Sequence, residues 1–142
     1  MTDLDLIAAF ECTKVIALVG WSPKQERPSN GVARYLTAQG FRVIPVNPGV
    51  AGKVVSGETV RASLSEIDEP VDMVDIFRKS GDVPQIVAEA LEYLPMVKTI
   101  WMQLGVMNSV AAQTAREKGL FVVENSCLAI ELPRLRSAGH RV

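Results

Sequence analysis

At 142 residues the chain is close to the roughly 150 residues of one domain, so a single compact domain without a separate substrate domain is expected and a multi-domain dehydrogenase is not. Apolar residues make up 48% of it, and a chain of this size buries about 68–70% of its unfolded surface, so a core is expected without a metal or disulfide staple. Fifteen Lys+Arg against sixteen Asp+Glu give a net charge of −1, without the basic excess of a dedicated nucleic-acid-binding domain. No apolar run approaches the ~20 residues of a membrane span. The first residues carry Asp3, Asp5 and Glu11 in place of a basic segment and a long apolar one, so a secretory signal is not expected and a cytoplasmic location is. Cys12 and Cys127 lie far apart, and the single histidine, His140, sits in a C-terminal tail, too few ligands for a conventional Cys/His zinc site.

A short helix is expected over Leu4 to Phe10, followed by a strand over Val15 to Val19, a continuous apolar run stopped by Gly20, as in a strand buried on both faces. Pro28-Ser29 offers a helix start with Ser29 as N-cap, Val32, Tyr35 and Leu36 at helical spacing, and Gly40 as its end. Phe41 to Val46 reads as the second strand, cut off by Asn47-Pro48-Gly49. The stretch from Gly49 to Ile67 reads as a loop with a short strand or turn. Val71 to Phe77 is the third strand. Asp82 to Leu94 is a helix with Pro84 in its first turn and an apolar stripe of Ile86, Val87, Ala90, Leu91 and Leu94. Val97 to Met102 is the fourth strand; a helix opened by Asn108 or Ser109 and closed by Gly119 leads to the fifth, Leu120 to Val123. Strands separated by single helices demand parallel pairing. The expected fold is α/β: one doubly wound, mainly parallel, five-stranded Rossmann-like sheet with helices on both faces, spanning 1–142 as a single domain.

Charge is unevenly spread. From Lys14 to Lys53 the cations Lys14, Lys24, Arg27, Arg34, Arg42 and Lys53 face only Glu26, whereas from Glu58 to Glu92 nine acids face Arg61, Arg78 and Lys79. The first third carries a local positive field suited to a small anionic ligand.

In such a sheet ligands bind outside the carboxyl ends of the strands, at the switch point. The loop Gly20 to Asn30 carries Ser22, Lys24 and Arg27 ahead of a helix N-terminus, whose amides and dipole favour phosphate. Gly20 either admits a ligand close to backbone or simply turns the strand end; Ser29 either contacts ligand or caps the helix. Asn47-Pro48 either lines the site or forms a turn. In Phe77-Arg78-Lys79-Ser80, Arg78 can fork onto phosphate and Phe77 can pack on an aromatic base, or the cations pair with Asp75 or Asp82. Asp72 and Asp75, a pair of carboxylates, read as solvated or paired strand charges. Trp101 reads as core, and Met102-Gln103-Leu104-Gly105 as a mostly apolar rim with one amide, suited to a long thin ligand. A nicotinamide site lacks its marks: no Gly-x-Gly-x-x-Gly follows the first strand, and Asn47 stands where an acid would bind ribose.

Val19-Gly20-Trp21-Ser22-Pro23, Arg27-Pro28-Ser29-Asn30, Pro45-Val46-Asn47-Pro48, Val74-Asp75-Ile76-Phe77-Arg78-Lys79-Ser80, Trp101-Met102-Gln103-Leu104-Gly105-Val106 and Cys127-Leu128-Ala129-Ile130-Glu131 together resemble the small stand-alone CoA-binding proteins, Rossmann-like domains related to the CoA-binding domain of the succinyl-CoA synthetase α subunit. The resemblance runs from about Val15 to Leu135. It implies coenzyme A or a short acyl-CoA bound across the carboxyl edge, with no established reaction; on the ligand count above, no metal is expected. The family usually has Asp-Arg immediately before the cysteine, where this chain has Asn125-Ser126. The synthetase's phosphorylated histidine belongs to a domain this chain lacks, so its ligase activity is not implied. The site expected on these grounds comprises Gly20, Ser22, Lys24, Arg27, Ser29, Asn30, Asn47, Pro48, Phe77, Arg78, Lys79, Met102, Gln103, Leu104, Gly105 and Cys127, the last either facing the thiol end of the ligand or buried as an apolar cysteine. The expected function is a carrier, sensor or regulatory module without catalysis. The competing classes are a nicotinamide oxidoreductase and an acyl-CoA-transforming enzyme, with a scaffold whose sheet edge is empty third.

Overall fold

The structure, a computed structural model, describes residues 1–142. Five parallel strands form the sheet: β1 (Val15–Val19), β2 (Arg42–Val46), β5 (Met73–Ile76), β6 (Thr99–Met102) and β7 (Phe121–Val123), in the spatial order β2-β1-β5-β6-β7. The strands match the apolar runs to within one or two residues at each end, where ladder hydrogen bonds give out. The chain moves from β1 outward to β2, then crosses back to β5 on the other side of β1. The switch point therefore lies between β1 and β5.

Side-chain alternation along the strands divides the interior into two layers. Ala17, Val19, Val74, Ile76, Ile100 and Met102 face α3 (Val83–Tyr93) and α4 (Ser109–Glu117); Ile16, Leu18, Met73 and Trp101 face α1 (Asp3–Glu11), α2 (Pro28–Ala38) and α5 (Leu128–Ser137). Each helix buries one stripe, for example Val83, Ile86, Val87 and Ala90 of α3. The first helix starts in a capping box, in which Thr2 and Asp5 satisfy each other's backbone amide.

Three features depart from the expectation. The segment Gly49 to Ile67 contains a β-hairpin, β3 (Val54–Val55) with β4 (Glu58–Thr59), whose turn residues Ser56 and Gly57 both have positive φ, the geometry of the hairpin turn that matches strand twist. Ser29 is not the N-cap of α2. Arg27 caps it with extended backbone and no side-chain bond, Pro28 occupies the first turn, and the Ser29 hydroxyl is used elsewhere. After β7 the chain forms α5, which buries Leu128, Leu132 and Leu135 although Pro133 lies within it; Pro133 forfeits one helical hydrogen bond, and the apolar stripe against the sheet outweighs that loss. No helix is long and apolar enough to cross a membrane.

Candidate functional site

The loop between β1 and α2 is shaped by its own polar side chains. Ser29 Oγ accepts from the Ser22 amide at 3.0 Å, Asn30 Nδ2 donates to the Ser22 carbonyl at 2.9 Å, and the Ser22 hydroxyl accepts from the Lys24 amide at 3.2 Å. Ser29 and Asn30 are buried, so they fix the loop from beneath, and Lys24 and Arg27 are left exposed above it. The Asn30 and Gly31 amides return to the Arg27 carbonyl, while the Ser29 amide at the second position of α2 has no backbone or side-chain partner and lies at the positive end of the helix dipole.

Asn47 ties the second loop to the first. Its Nδ2 donates to the Trp21 carbonyl at 2.7 Å and its Oδ1 accepts from Gly49 N at 2.8 Å; the turn and the cleft wall are one structure, with exposed Pro48 in the short 3-10 turn that follows. The third loop meets the first at Gly20. With φ at +88°, Gly20 adopts backbone that only glycine takes readily, and a Cβ there would stand 2.7 Å from the Phe77 carbonyl oxygen. The close approach that demands glycine is that of the neighbouring strand end.

Two adjoining cavities open at this junction and share Gly20, Asn47 and Arg78. One, of about 420 Å³, is lined by these three with Trp21, Ser22, Lys24, Arg27, Pro28, Ser29 and Phe77. It carries three cations and no carboxylate, so its field favours an anion. The other, of about 320 Å³, runs towards α3 between Val19, Val46, Pro48, Leu64 and Ile86, with Ser63, Asp82, Gln85 and Glu89 as its polar groups. Its acids disfavour phosphate, and its apolar walls fit a flat uncharged group that offers hydrogen-bond donors. A larger groove, about 700 Å³, lies along α2, edge strand β2 and the β3–β4 hairpin, away from the switch point.

Arg78 bridges the two cavities. Its Nη2 stands 3.2 Å from Asp82 Oδ2, and both side chains are about half exposed; such a surface pair contributes about 0–1 kcal/mol and is easily exchanged for a ligand anion. Of the expected site, Gly20, Ser22, Lys24, Arg27, Ser29, Asn47, Pro48, Phe77 and Arg78 line the two cavities, and Asn30 supports them. Phe77 lines the cationic cavity, not the apolar slot.

The remaining residues lie elsewhere. Lys79 is exposed and lines neither cavity. Met102 is completely buried in the core beneath α3 and α4 and forms no part of a rim, because its position on the strand turns it to that face. Leu104 and Gly105 are exposed beyond β6, with Gly105 N donating to Asn125 Oδ1 at 2.8 Å. Cys127 is buried among Trp101, Val123 and Leu128 and caps α5 through its backbone, the environment of an apolar core cysteine. Gln103 is buried and continues the ladder past β6, its amide donating to the Ile76 carbonyl at 3.1 Å.

The carboxylate pair splits. Asp72 Oδ2 accepts from the amides of Lys14 and Val15 at 2.9 and 3.0 Å. Asp75 is neither solvated nor paired: it is completely buried, both its oxygens are without a donor, and burial pushes its acid group well above the usual carboxylate range. Sequence reasoning also missed Trp21, Ser63 and Gln85 as cavity walls. Trp21 follows a strand-ending glycine and was legible as a loop residue; Ser63 and Gln85 carry no motif.

A parallel sheet with a cationic cleft at its switch point, beside a helix N-terminus, is a Rossmann-like fold with its cations where such sheets hold their ligands. The chain belongs to the CoA binding domain family, whose model matches residues 14–133. It is 36% identical over 118 residues to the uncharacterised protein YneT of Bacillus subtilis, covering 83% of this chain and 84% of that one. A solved structure from Thermus thermophilus superposes with a TM-score of 0.88 at 36% identity, covering 95% of this chain and 99% of that chain. A hypothetical protein of Pyrococcus horikoshii gives the same TM-score and identity over 96% and 93%.

Proposed function

We propose that this protein binds coenzyme A, or a short acyl-CoA, at the carboxyl edge of its sheet and acts as a carrier, sensor or regulatory module without chemistry of its own. The observation that carries the reading is the cavity lined by Lys24, Arg27 and Arg78 and by no acid, in a chain of the CoA binding domain family. In this reading the phosphates meet those three side chains and the free Ser29 amide, through charge-assisted hydrogen bonds. The adenine enters the slot between Val46, Leu64 and Ile86, where Asp82, Ser63 and Gln85 can accept from or donate to its edge. The pantetheine arm then leaves along the ends of β5 and β6, over Phe77 and towards Gln103 and Leu104.

The competing nicotinamide reading needs an acid at the end of β2 to hold a ribose. Asn47 is there instead, with its amide donating to Trp21 and its carbonyl oxygen accepting from Gly49. Native mass spectrometry of the purified protein, incubated with equimolar CoA and NAD, separates the classes. A one-to-one complex of CoA mass is expected; retention of NAD in its place contradicts the reading. A turnover assay with acetyl-CoA, read by release of free thiol, tests the absence of catalysis.

A further inference from the structure

Three buried side-chain oxygens in the structure have no hydrogen-bond donor: Oδ1 and Oδ2 of Asp75 and Oε1 of Gln103. Asp75 lies on β5 and Gln103 directly past the end of the adjacent β6, on one face of the sheet. Asp75 stands in register between Leu18 of β1 and Trp101 of β6. Gln103 lies two residues beyond Trp101, hence on the same face, and its backbone bond to Ile76 holds it diagonally across from Asp75. Its other amide end, Nε2, is not among the buried unpartnered atoms and makes no hydrogen bond within the chain. Oε1 therefore points inward and Nε2 is the accessible end.

While Asp75 is ionised, all three inward atoms are acceptors, and an unpaired charge lies in an apolar layer. The surroundings offer nothing to neutralise it. Strands β1 and β6 present Leu18 and Trp101; α1 presents Leu6 and Phe10, α2 Val32 and Leu36, and α5 Leu128, Leu132 and Leu135. The titratable groups of that layer are the buried Cys127 thiol and the half-buried Tyr35 phenol of α2, and neither is a cation. The cations on these helices turn outward, Arg34 to Asn30, Arg134 to Asp3 and Glu131, and Arg136 to Gln39 and the Val142 main-chain oxygen.

We propose that Asp75 is held as the neutral acid and donates its O–H to Gln103 Oε1, locking the glutamine amide with its NH₂ towards the ligand edge. One proton removes the buried charge and converts two of the three acceptors into a donor and its acceptor, leaving one neutral carboxyl oxygen without a donor. Asp75 is then a positioning residue, acting through Gln103. Resting on the CoA reading, the inference goes one step further: the fixed Gln103 Nε2 donates to an amide carbonyl of the pantetheine arm, the part of the ligand that carries no charge.

The experiment compares the parent with Asp75→Asn and Asp75→Leu. Infrared difference spectra between parent and Asp75→Asn, without ligand at neutral pH, are expected to show the carbonyl stretch of a protonated carboxyl; carboxylate bands there overturn the proposal. In the ¹⁵N spectrum the Gln103 side-chain amide is expected to be resolved and slowly exchanging in the parent and in Asp75→Asn, whose amide still donates, and averaged in Asp75→Leu. CoA titration is expected to give parent-like affinity for Asp75→Asn and roughly tenfold weaker binding for Asp75→Leu, the effect of one lost hydrogen bond. Raising the pH through the Asp75 titration should weaken CoA for the parent alone. Equal spectra and affinities for the two variants overturn the positioning role. If no protein binds CoA, the spectra still decide the Asp75–Gln103 bond, and it is the CoA reading that fails.

Discussion

Gly20 and Phe77 are in backbone contact: a Cβ on the glycine would lie 2.7 Å from the phenylalanine carbonyl oxygen. The end of β1 and the end of β5 are thus held together at the switch point by the absence of a side chain, and the cleft opens directly above that contact. Gly20→Val should lower both stability and ligand affinity. The positive φ alone costs roughly 1–3 kcal/mol for a non-glycine residue, and the clash with the carbonyl adds to it. Urea unfolding and CoA titration of the variant check this; normal stability with binding abolished would show that the glycine serves the ligand alone.

Arg78→Ala should weaken CoA by roughly 1–3 kcal/mol, the range for a charge-assisted phosphate contact, and barely change stability, because the partner it loses, Asp82, is half exposed. Asp82→Ala is the control. It releases Arg78 and removes an acid from the cleft, so calorimetry should give equal or tighter binding. Weaker binding in the control would mean that the ion pair, and not the free cation, builds the site.

Asn47→Asp keeps the acceptor for Gly49 N but removes the donor to the Trp21 carbonyl and places a negative charge beside the cationic cavity. The expected outcome is about 1 kcal/mol lower stability from the lost hydrogen bond, and weaker CoA binding from repulsion. Tighter NAD binding by this variant would instead point to a ribose site at this position.

The pH dependence of stability carries a definite sign. Asp75 has its acid group raised by burial, so the folded state holds a proton that the unfolded chain releases from about pH 3.9 upward. Its stabilising contribution is complete below that pH and is lost as pH rises towards the folded value, by up to about 1.4 kcal/mol per pH unit. Glu69, lowered by its hydrogen bonds to Arg42 and Arg61, acts in the opposite direction, its contribution being lost as pH falls. Asp75→Asn isolates the first effect: its stability relative to the parent should climb with pH above the usual carboxylate range, as read by urea midpoints across pH. A constant difference contradicts a neutral Asp75.

The strands of the sheet were legible because parallel strands are apolar on both faces, so Val15–Val19 and the runs after it stand out; the strand order that puts the switch point between β1 and β5 was not. The cationic loop was legible because Lys24 and Arg27 precede a helix start. What the sequence hid was hidden by conflicting local signals. The spacing of Leu128, Leu132 and Leu135 is helical, but Pro133 inside it signals a break. Ser29 has the chemistry of an N-cap, yet Ser22 seven residues earlier claims its hydroxyl. Met102 and Gln103 are neighbours in sequence on opposite faces of the sheet, so a single rim could not hold both. Asp75 is an acid in a strand whose neighbours in space, Leu18 and Trp101, are distant in sequence, and only the strand order reveals that no cation reaches it.

Whether the cleft of Lys24, Arg27 and Arg78 prefers coenzyme A to other nucleotides is read by isothermal titration of the parent protein with CoA, NAD and NADP in turn. Saturable one-site binding of CoA is expected, weakened by added salt as phosphate contacts are screened, with no comparable heat from NAD or NADP. Equal binding of all three, or no binding of CoA, would contradict the CoA reading.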